Sequence, residues 1–308
     1  MTAAEAFRCS GAARDRQDPV VGTAPPAARW LLLEHPGPWP IDAVAGSGIE
    51  SGILQRLTRT AGRTSTRILL VRRPGRGRAS GARRWILADA EGSTRQGLWS
   101  SDSELEAAVQ AMTDPCTPPV EPPEPLILVC AHGVHDVCCA VRGRPVAAAL
   151  AGRWPDLVWE CSHVGGDRFA PNVVLLPDGY YYGSLDPESA VRTVEQHLAG
   201  VVVTEFLRGM ARFPPPVQAA AAAAYERFGP LAPHDVTLQS FSHQPPRAGH
   251  ASHNTVHLAL AGRPETLQVE VIGVRRPDAQ LTCRAARETP ATEYEVQSLE
   301  IVPAVRGR

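Results

Sequence analysis

Thiols and imidazoles crowd one stretch of this 308-residue chain: Cys130, His132, His135, Cys138, Cys139, Cys161 and His163. Thiolates bind soft metals and iron–sulfur clusters, and imidazole binds both zinc and iron, so the set suits a zinc ion or an iron–sulfur centre. Spacing separates the two. Structural zinc usually takes close cysteine pairs on a tight knuckle, whereas Cys130 and Cys139 leave eight residues between them. A loop of that length can wrap a larger [2Fe–2S] cluster and aim backbone N–H groups at its sulfurs. Cys138 and Cys139 are adjacent, and neighbouring side chains diverge, so one regular backbone does not bring both to one centre. Two other readings use the same residues: a zinc-stabilised binding module, and a thiol–disulfide protein cycling through Cys130/Cys139 or Cys138/Cys139. The chain has no C-x-x-C, which weakens the last.

These residues need elements to hold them. Leu126-Ile127-Leu128-Val129-Cys130 is an uninterrupted apolar run that reads as a buried strand ending on a cysteine, followed by a polar loop up to Cys139. Arg144 to Ala151 reads as a helix, Leu157 to Cys161 as a strand, and Asn172 to Leu176 as another. Pro177-Asp178-Gly179 is a turn into the strand Tyr180-Tyr181-Tyr182-Gly183, and Pro187 to Ala199 is a helix with proline in its first turn. The order β-α-β then β-β-α is that of a thioredoxin-like domain. Cys130, Cys139 and Cys161 with His163 all fall toward the carboxyl end of its sheet, where open α/β sheets build their sites.

Either side, the chain reads as more α/β structure and then as strands. Arg29 to Glu34 and Arg67 to Arg72 are strand-like, with helices expected at Asp42 to Ala61 and Ser103 to Met112. Six prolines between Asp114 and Pro125 exclude both helix and interior strand. Val217 to Phe228 includes an alanine-rich helix stopped by Gly229-Pro230. Thr255 to Leu260, Leu267 to Ile272 and Tyr294 to Leu299 alternate at period two as half-exposed strands. The expected fold is α/β: an N-terminal α/β domain (1–113), a proline-rich linker (114–125), a central thioredoxin-like domain (126–205), and a helix with a β-rich C-terminal segment (206–308).

Cys130-Ala131-His132-Gly133-Val134-His135-Asp136-Val137-Cys138-Cys139, followed by Glu160-Cys161-Ser162-His163-Val164-Gly165-Gly166-Asp167-Arg168-Phe169-Ala170-Pro171-Asn172-Val173, resembles the sucrase/ferredoxin-like family of thioredoxin-like [2Fe–2S] ferredoxins. Arg8-Cys9-Ser10, Gly22-Thr23-Ala24-Pro25-Pro26 and Thr282-Cys283-Arg284 are similar to segments of its bacterial members. The resemblance implies a bound [2Fe–2S] cluster and an electron-transfer or redox role, with another redox protein or a reductase as partner. In the eukaryotic branch two cysteines spaced like Cys130 and Cys139 are joined by an H-x3-H pair, whose positions here are His163 and Asp167. Aspartate is an uncommon cluster ligand, so the expected set is Cys130, Cys139, Cys161 and His163, with Asp167 as the alternative fourth ligand. Cys161 lies two residues before His163, on the same strand face. Gly165 and Gly166 permit a tight cluster-binding turn. Arg142, Arg144 and Arg168 flank the proposed ligands and could offset cluster charge.

Other classes fall away. A net charge of −1, with 31 basic residues that are all arginine, leaves no large basic surface for nucleic acid or anionic lipid. The arginine bias reads as codon usage. Seven cysteines are odd in number and too sparse for a disulfide scaffold. No run reaches the roughly 20 apolar residues of a membrane span and no signal-peptide core is evident, so a soluble, cytoplasmic protein is expected. Cys9, Cys116 and Cys283 read as structural or free thiols because each lies far off in sequence. His243, His250, His253 and His257 read as exposed loop residues without ligand spacing. The word sucrase in the family name raises glycoside hydrolysis, but Asp167, Asp178 and Asp186 show no spacing that marks a catalytic pair. No phosphate-binding glycine motif appears.

Overall fold

The computed structural model describes residues 7–75, 81–90, 92–114, 123–246 and 251–303. Cys116, most of the proline-rich segment and His250 lie outside the described residues. Nine strands form one mixed sheet: β1 (Arg29–Glu34), β2 (Thr66–Arg72), β3 (Arg83–Asp89), β4 (Thr94–Trp99), β5 (Leu126–Cys130), β6 (Val158–Cys161), β7 (Val173–Leu176), β8 (Tyr180–Tyr182) and β9 (Leu207–Met210), in the order β4-β3-β1-β2-β6-β5-β7-β8-β9. Within it, β5 and β6 run parallel, β7 is antiparallel to β5, and β8 is antiparallel to β7. That is the thioredoxin-like arrangement expected from the element order.

The N-terminal strands do not form a separate sheet. Strand β2 joins β6 through Val71↔Cys161 and Arg72↔Glu160, and Arg72 reinforces the seam with a 2.8 Å ion pair to Glu160. Helices α2 (Ser51–Arg63) and α3 (Glu106–Thr113) cover the N-terminal half, with α2 burying Ile53, Leu57 and Ala61 at helical spacing. Its start is a correction to the expected Asp42–Ala61 helix. Gly46-Ser47-Gly48 interrupts it, with Gly48 at φ +79°, and the Glu50 carboxylate caps the helix by accepting from Gly52 N and Ile53 N. Strands β3 and β4 were not expected, and neither was helix α1 (Cys9–Asp15).

Helix α4 (Val137–Arg153) corrects the reading of the site loop. The proline at 145 makes the sequence look as though a helix begins there. Instead Asp136 caps a helix that starts at Val137, with its carboxylate accepting from Cys138 N at 2.9 Å, and Pro145 lies inside it. Cys138 and Cys139 therefore sit on a first helical turn rather than in a loop. Helix α5 (Pro187–Leu198) has Pro187 in its first turn and a reciprocal cap between Asp186 and Ser189.

Strand β5 is buried on both faces. Ile127 and Val129 pack into a core shared with α4, α5 and the C-terminal region, while Leu128 and Cys130 face a second core with Trp30, Leu32 and Trp159. Helix α6 (Pro215–Phe228) packs against a separate antiparallel sheet, β10 (Val236–Gln244), β11 (Ser252–Leu260), β12 (Thr266–Ala279) and β13 (Thr289–Val302). His243, His253 and His257 are strand residues there, not loop residues. His243 meets Asn254 at 2.8 Å and His257 meets Ser240 at 2.9 Å, and none of these three joins a metal-competent group among the described residues.

Candidate metal centre

Strand β5 delivers Cys130, the first turn of α4 delivers Cys139, and the loop after β6 delivers His163. Their ligand atoms lie within 4.8 Å of one another. Two close approaches make this possible. Gly143 lies against the end of β5, where an alanine Cβ would be driven into the Cys130 carbonyl oxygen. Gly133 lies 2.6 Å, measured from where its own Cβ would be, from Ala140 Cβ. Any larger residue at 143 would push α4, and with it Cys139, away from Cys130.

Asp167 opens the short 3₁₀ turn Asp167–Phe169. Its Oδ1 lies 2.9 Å from His163 Nδ1 and accepts from the Cys139 thiol at 3.2 Å. Asp167, His163 and His135 form a second metal-competent group that shares His163 with the first. The His135 and His163 rings stack 3.9 Å apart, and their side chains are 33% and 23% exposed, so imidazole is where the centre meets solvent. Ile41, Asp42, Ala43, Val44 and Ile68 complete a groove of about 360 Å³ over this edge.

The Cys139 hydrogen bond holds the Cys130 thiol well below its usual range, against the opposing effect of burial and with help from His163, while the same bond and burial push Cys139 up. Burial works against a charged His163, but Asp167 and the Cys130 sulfur outweigh it and raise its pKa to about 9. Burial likewise opposes ionisation of Asp167, yet contact with His163 keeps its pKa below the ordinary value. The centre holds buried negative charge beside the positive end of α4.

The loop is fixed from behind. His132 is buried, places Nε2 2.7 Å from the Pro40 carbonyl oxygen, and accepts from His163 N at Nδ1, 3.3 Å away. Gly165 and Gly166 adopt φ of +86° and +78°, and an added Cβ at Gly166 would strike the Arg208 guanidinium. Arg208, fully buried, donates to Gly165 O and Asn172 Oδ1 at 2.8 Å each and to Thr23 O. Nothing local in the sequence singles it out, because its partners lie at 23, 165 and 172.

Three flanking expectations are redistributed. Arg168 turns from the Cys130 sulfur to Asp18, at 3.4 Å, and Arg144 is exposed on α4. Cys161 is buried beside Cys130 in strand register, but its sulfur joins neither metal-competent group, and burial pushes its thiol pKa well up. Cys9 and Cys283, distant in sequence, meet at Cys138, with Cys283 Sγ 3.5 Å from Cys9 Sγ and 3.4 Å from Cys138 Sγ.

No described helix is long and apolar enough to cross a membrane. No curated protein matches the chain significantly. Among solved structures, a cysteine-to-serine variant of the thioredoxin-like [2Fe-2S] ferredoxin from Aquifex aeolicus aligns at 25% identity and a TM-score of 0.24, covering 27% of this chain and 97% of that one. The sucrase/ferredoxin-like family model matches residues 20–209, a span that takes in the N-terminal strands, the Cys130–Cys139 loop and helix, and the His163–Asp167 turn. With that match over more than half its length, the chain belongs to the sucrase/ferredoxin-like family.

Proposed function

We propose that this protein is a one-electron carrier whose [2Fe–2S] cluster is held by Cys130, Cys139, His163 and Asp167. The observation that carries the reading is the shape of the donor set. Cys130, Cys139 and His163 close on one another, while Asp167 touches Cys139 and His163 and groups with His163 and His135. Two overlapping groups hinged on His163 extend beyond a single ion's shell and suit a binuclear centre. His163 Nδ1 is buried and faces Asp167 Oδ1 at 2.9 Å, which brings these two donor atoms together. When bound, such a cluster supplies reversible one-electron redox chemistry.

The chain's own residues set the terms of that chemistry. A neutral imidazole in place of a thiolate removes one negative charge, which favours the reduced state and raises the potential above that of an all-cysteine site. His132 fixes the His163 backbone, and Arg208 and the two glycines fix the turn that presents Asp167. Leu128 and Trp159 share a buried core with Cys130 and Cys139, and Trp39 packs edge-on to His132 behind the site. Exposed Val134 and Ile41 beside half-exposed His135 make an apolar edge suited to a redox partner protein.

Anaerobic purification followed by iron and acid-labile sulfide analysis and EPR of the reduced protein tests the proposal. Two irons and two sulfides per chain are expected, with a rhombic signal on reduction. Absence of both, with zinc bound at Cys130 and Cys139 instead, overturns it in favour of a zinc-stabilised module. Single substitutions assign the fourth ligand. Asp167→Ala should change the EPR spectrum and Cys161→Ser should not; the reverse pattern would return the fourth position to Cys161.

A further inference from the structure

A second donor cluster lies on the other side of the same helical turn. Cys9 from α1, Cys138 and Asp136 from the start of α4, and Cys283 from the loop after β12 place all four ligand atoms within 4.8 Å of one another. Cys9 and Cys138 are buried, and Cys283 is partly exposed. The Cys283 sulfur lies 3.4 Å from Cys138 Sγ and 3.5 Å from Cys9 Sγ, and it also accepts the Cys9 backbone N–H at 3.4 Å. One carboxylate organises the set. Asp136 takes Cys138 N on Oδ1 at 2.9 Å and Cys283 N on Oδ2 at 2.7 Å, and the Cys9 thiol points at both oxygens from 3.7 and 3.6 Å.

We propose that Cys9, Cys138 and Cys283, with Asp136 beside them, form a structural site for a single zinc ion, separate from the Cys130/Cys139/His163 centre. Three sulfurs and a carboxylate oxygen, all within 4.8 Å of one another, supply the four donors that a tetrahedral zinc accepts. Thiolates on one zinc at about 2.3 Å stand about 3.8 Å apart, so the observed sulfurs need to move outward by only a few tenths of an ångström. A disulfide demands an approach to about 2.05 Å and would leave one of the three thiols unused. All four donors close into one group, which fits one ion better than a binuclear cluster. Binding releases the thiol protons, and the resulting negative site lies among cations: Arg14 acts on Cys138, and Arg16 and Arg168 act on Cys9. Arg168, expected at the other centre, serves this one. The metal would staple the N-terminal helix, the central domain and the C-terminal sheet at one point, joining residues 9, 138 and 283.

The test uses the full chain purified without chelator, with zinc and iron measured together and the zinc environment read by X-ray absorption. One zinc per chain with three sulfur neighbours is expected. It should persist in the Cys130→Ser/Cys139→Ser double variant and be lost in Cys283→Ser, whose partly exposed side chain makes misfolding the least concern. Cobalt substitution of the wild-type protein should give the intense visible bands of a tetrahedral thiolate site without any variant. The proposal is overturned if wild-type protein holds no zinc and peptide mapping finds Cys9, Cys138 and Cys283 as free thiols or a disulfide. Loss of zinc in the Cys130→Ser/Cys139→Ser variant and not in Cys283→Ser would also sink it. Iron content is read in the same samples, so failure of the iron–sulfur reading leaves this result intact, and the converse.

Discussion

Two sulfur clusters straddle the first turn of α4, and adjacent cysteines feed them in opposite directions. Cys139 points to Cys130, His163 and Asp167, and Cys138 points to Cys9, Asp136 and Cys283. Successive residues on a helix are about 100° apart, so a single turn can serve two centres but cannot put both thiols into one. The centres differ in chemistry. The first has an imidazole edge open to solvent and donors arranged in two overlapping groups. The second is walled by thiols, and its carboxylate, while accepting two backbone N–H bonds, keeps lone pairs free to join the three sulfurs. The first presents imidazoles at the surface, whereas the second brings together residues 9, 138 and 283 from distant parts of the chain.

The sharpest way to break the comparison is to change the two neighbours separately. Cys139→Ser should remove essentially all bound iron and visible colour while leaving zinc, and Cys138→Ser should do the reverse; elemental analysis with absorption spectra checks both. Equal loss of both metals in either variant would mean the clusters are one unit.

Next in size is Arg208→Met, which leaves the Gly165 and Asn172 oxygens and the Thr23 carbonyl without their buried donor. At about 1–3 kcal/mol for each buried acceptor left unpaired, a loss of about 3–5 kcal/mol in denaturant unfolding is expected. Weakened iron retention with unchanged zinc would place its effect on the His163–Asp167 turn. Gly143→Ala forces α4 off the end of β5 and should cost about 1–3 kcal/mol. Because the clash falls on the Cys130 carbonyl, within the first centre, the displacement should also lower iron occupancy more than zinc occupancy.

The smallest effect belongs to a region without sulfur. Asp178 accepts from His197 Nε2 and His234 Nε2, each at 3.0 Å, and although burial opposes its charge these contacts hold its pKa well below the ordinary carboxylate range. A depressed carboxylate contributes stability above its unfolded pKa, near 4, and that contribution fades as pH falls toward the folded value. Asp178→Asn should therefore cost about 1–2 kcal/mol at neutral pH and flatten the acid limb of a Tm-versus-pH curve. An unchanged acid limb would assign the acid sensitivity elsewhere.

The thioredoxin-like order was legible because each of its elements is short, strongly patterned and punctuated by proline or glycine. The start of α4 was not, because Pro145 mimics an N-terminal proline and only the Asp136 cap, seen in three dimensions, moves the boundary to Val137. Strands β3 and β4 hide among arginines and a glycine: β3 is buried by pairing with β1, and β4 pairs with β3 alone.

What the sequence determined by itself is the first centre's raw material: Cys130, Cys139, His163 and Asp167 lie close along the chain, and a β-α-β turn with tight glycines brings them to one sheet end. Tertiary structure alone decided the rest. Cys161 sits in register beside Cys130 yet outside both donor groups, Arg168 turns to Asp18, and Cys9 and Cys283 meet at Cys138. The physical reason is that local spacing fixes only which face a side chain takes, whereas contacts between positions 9, 138 and 283 depend on how whole elements pack.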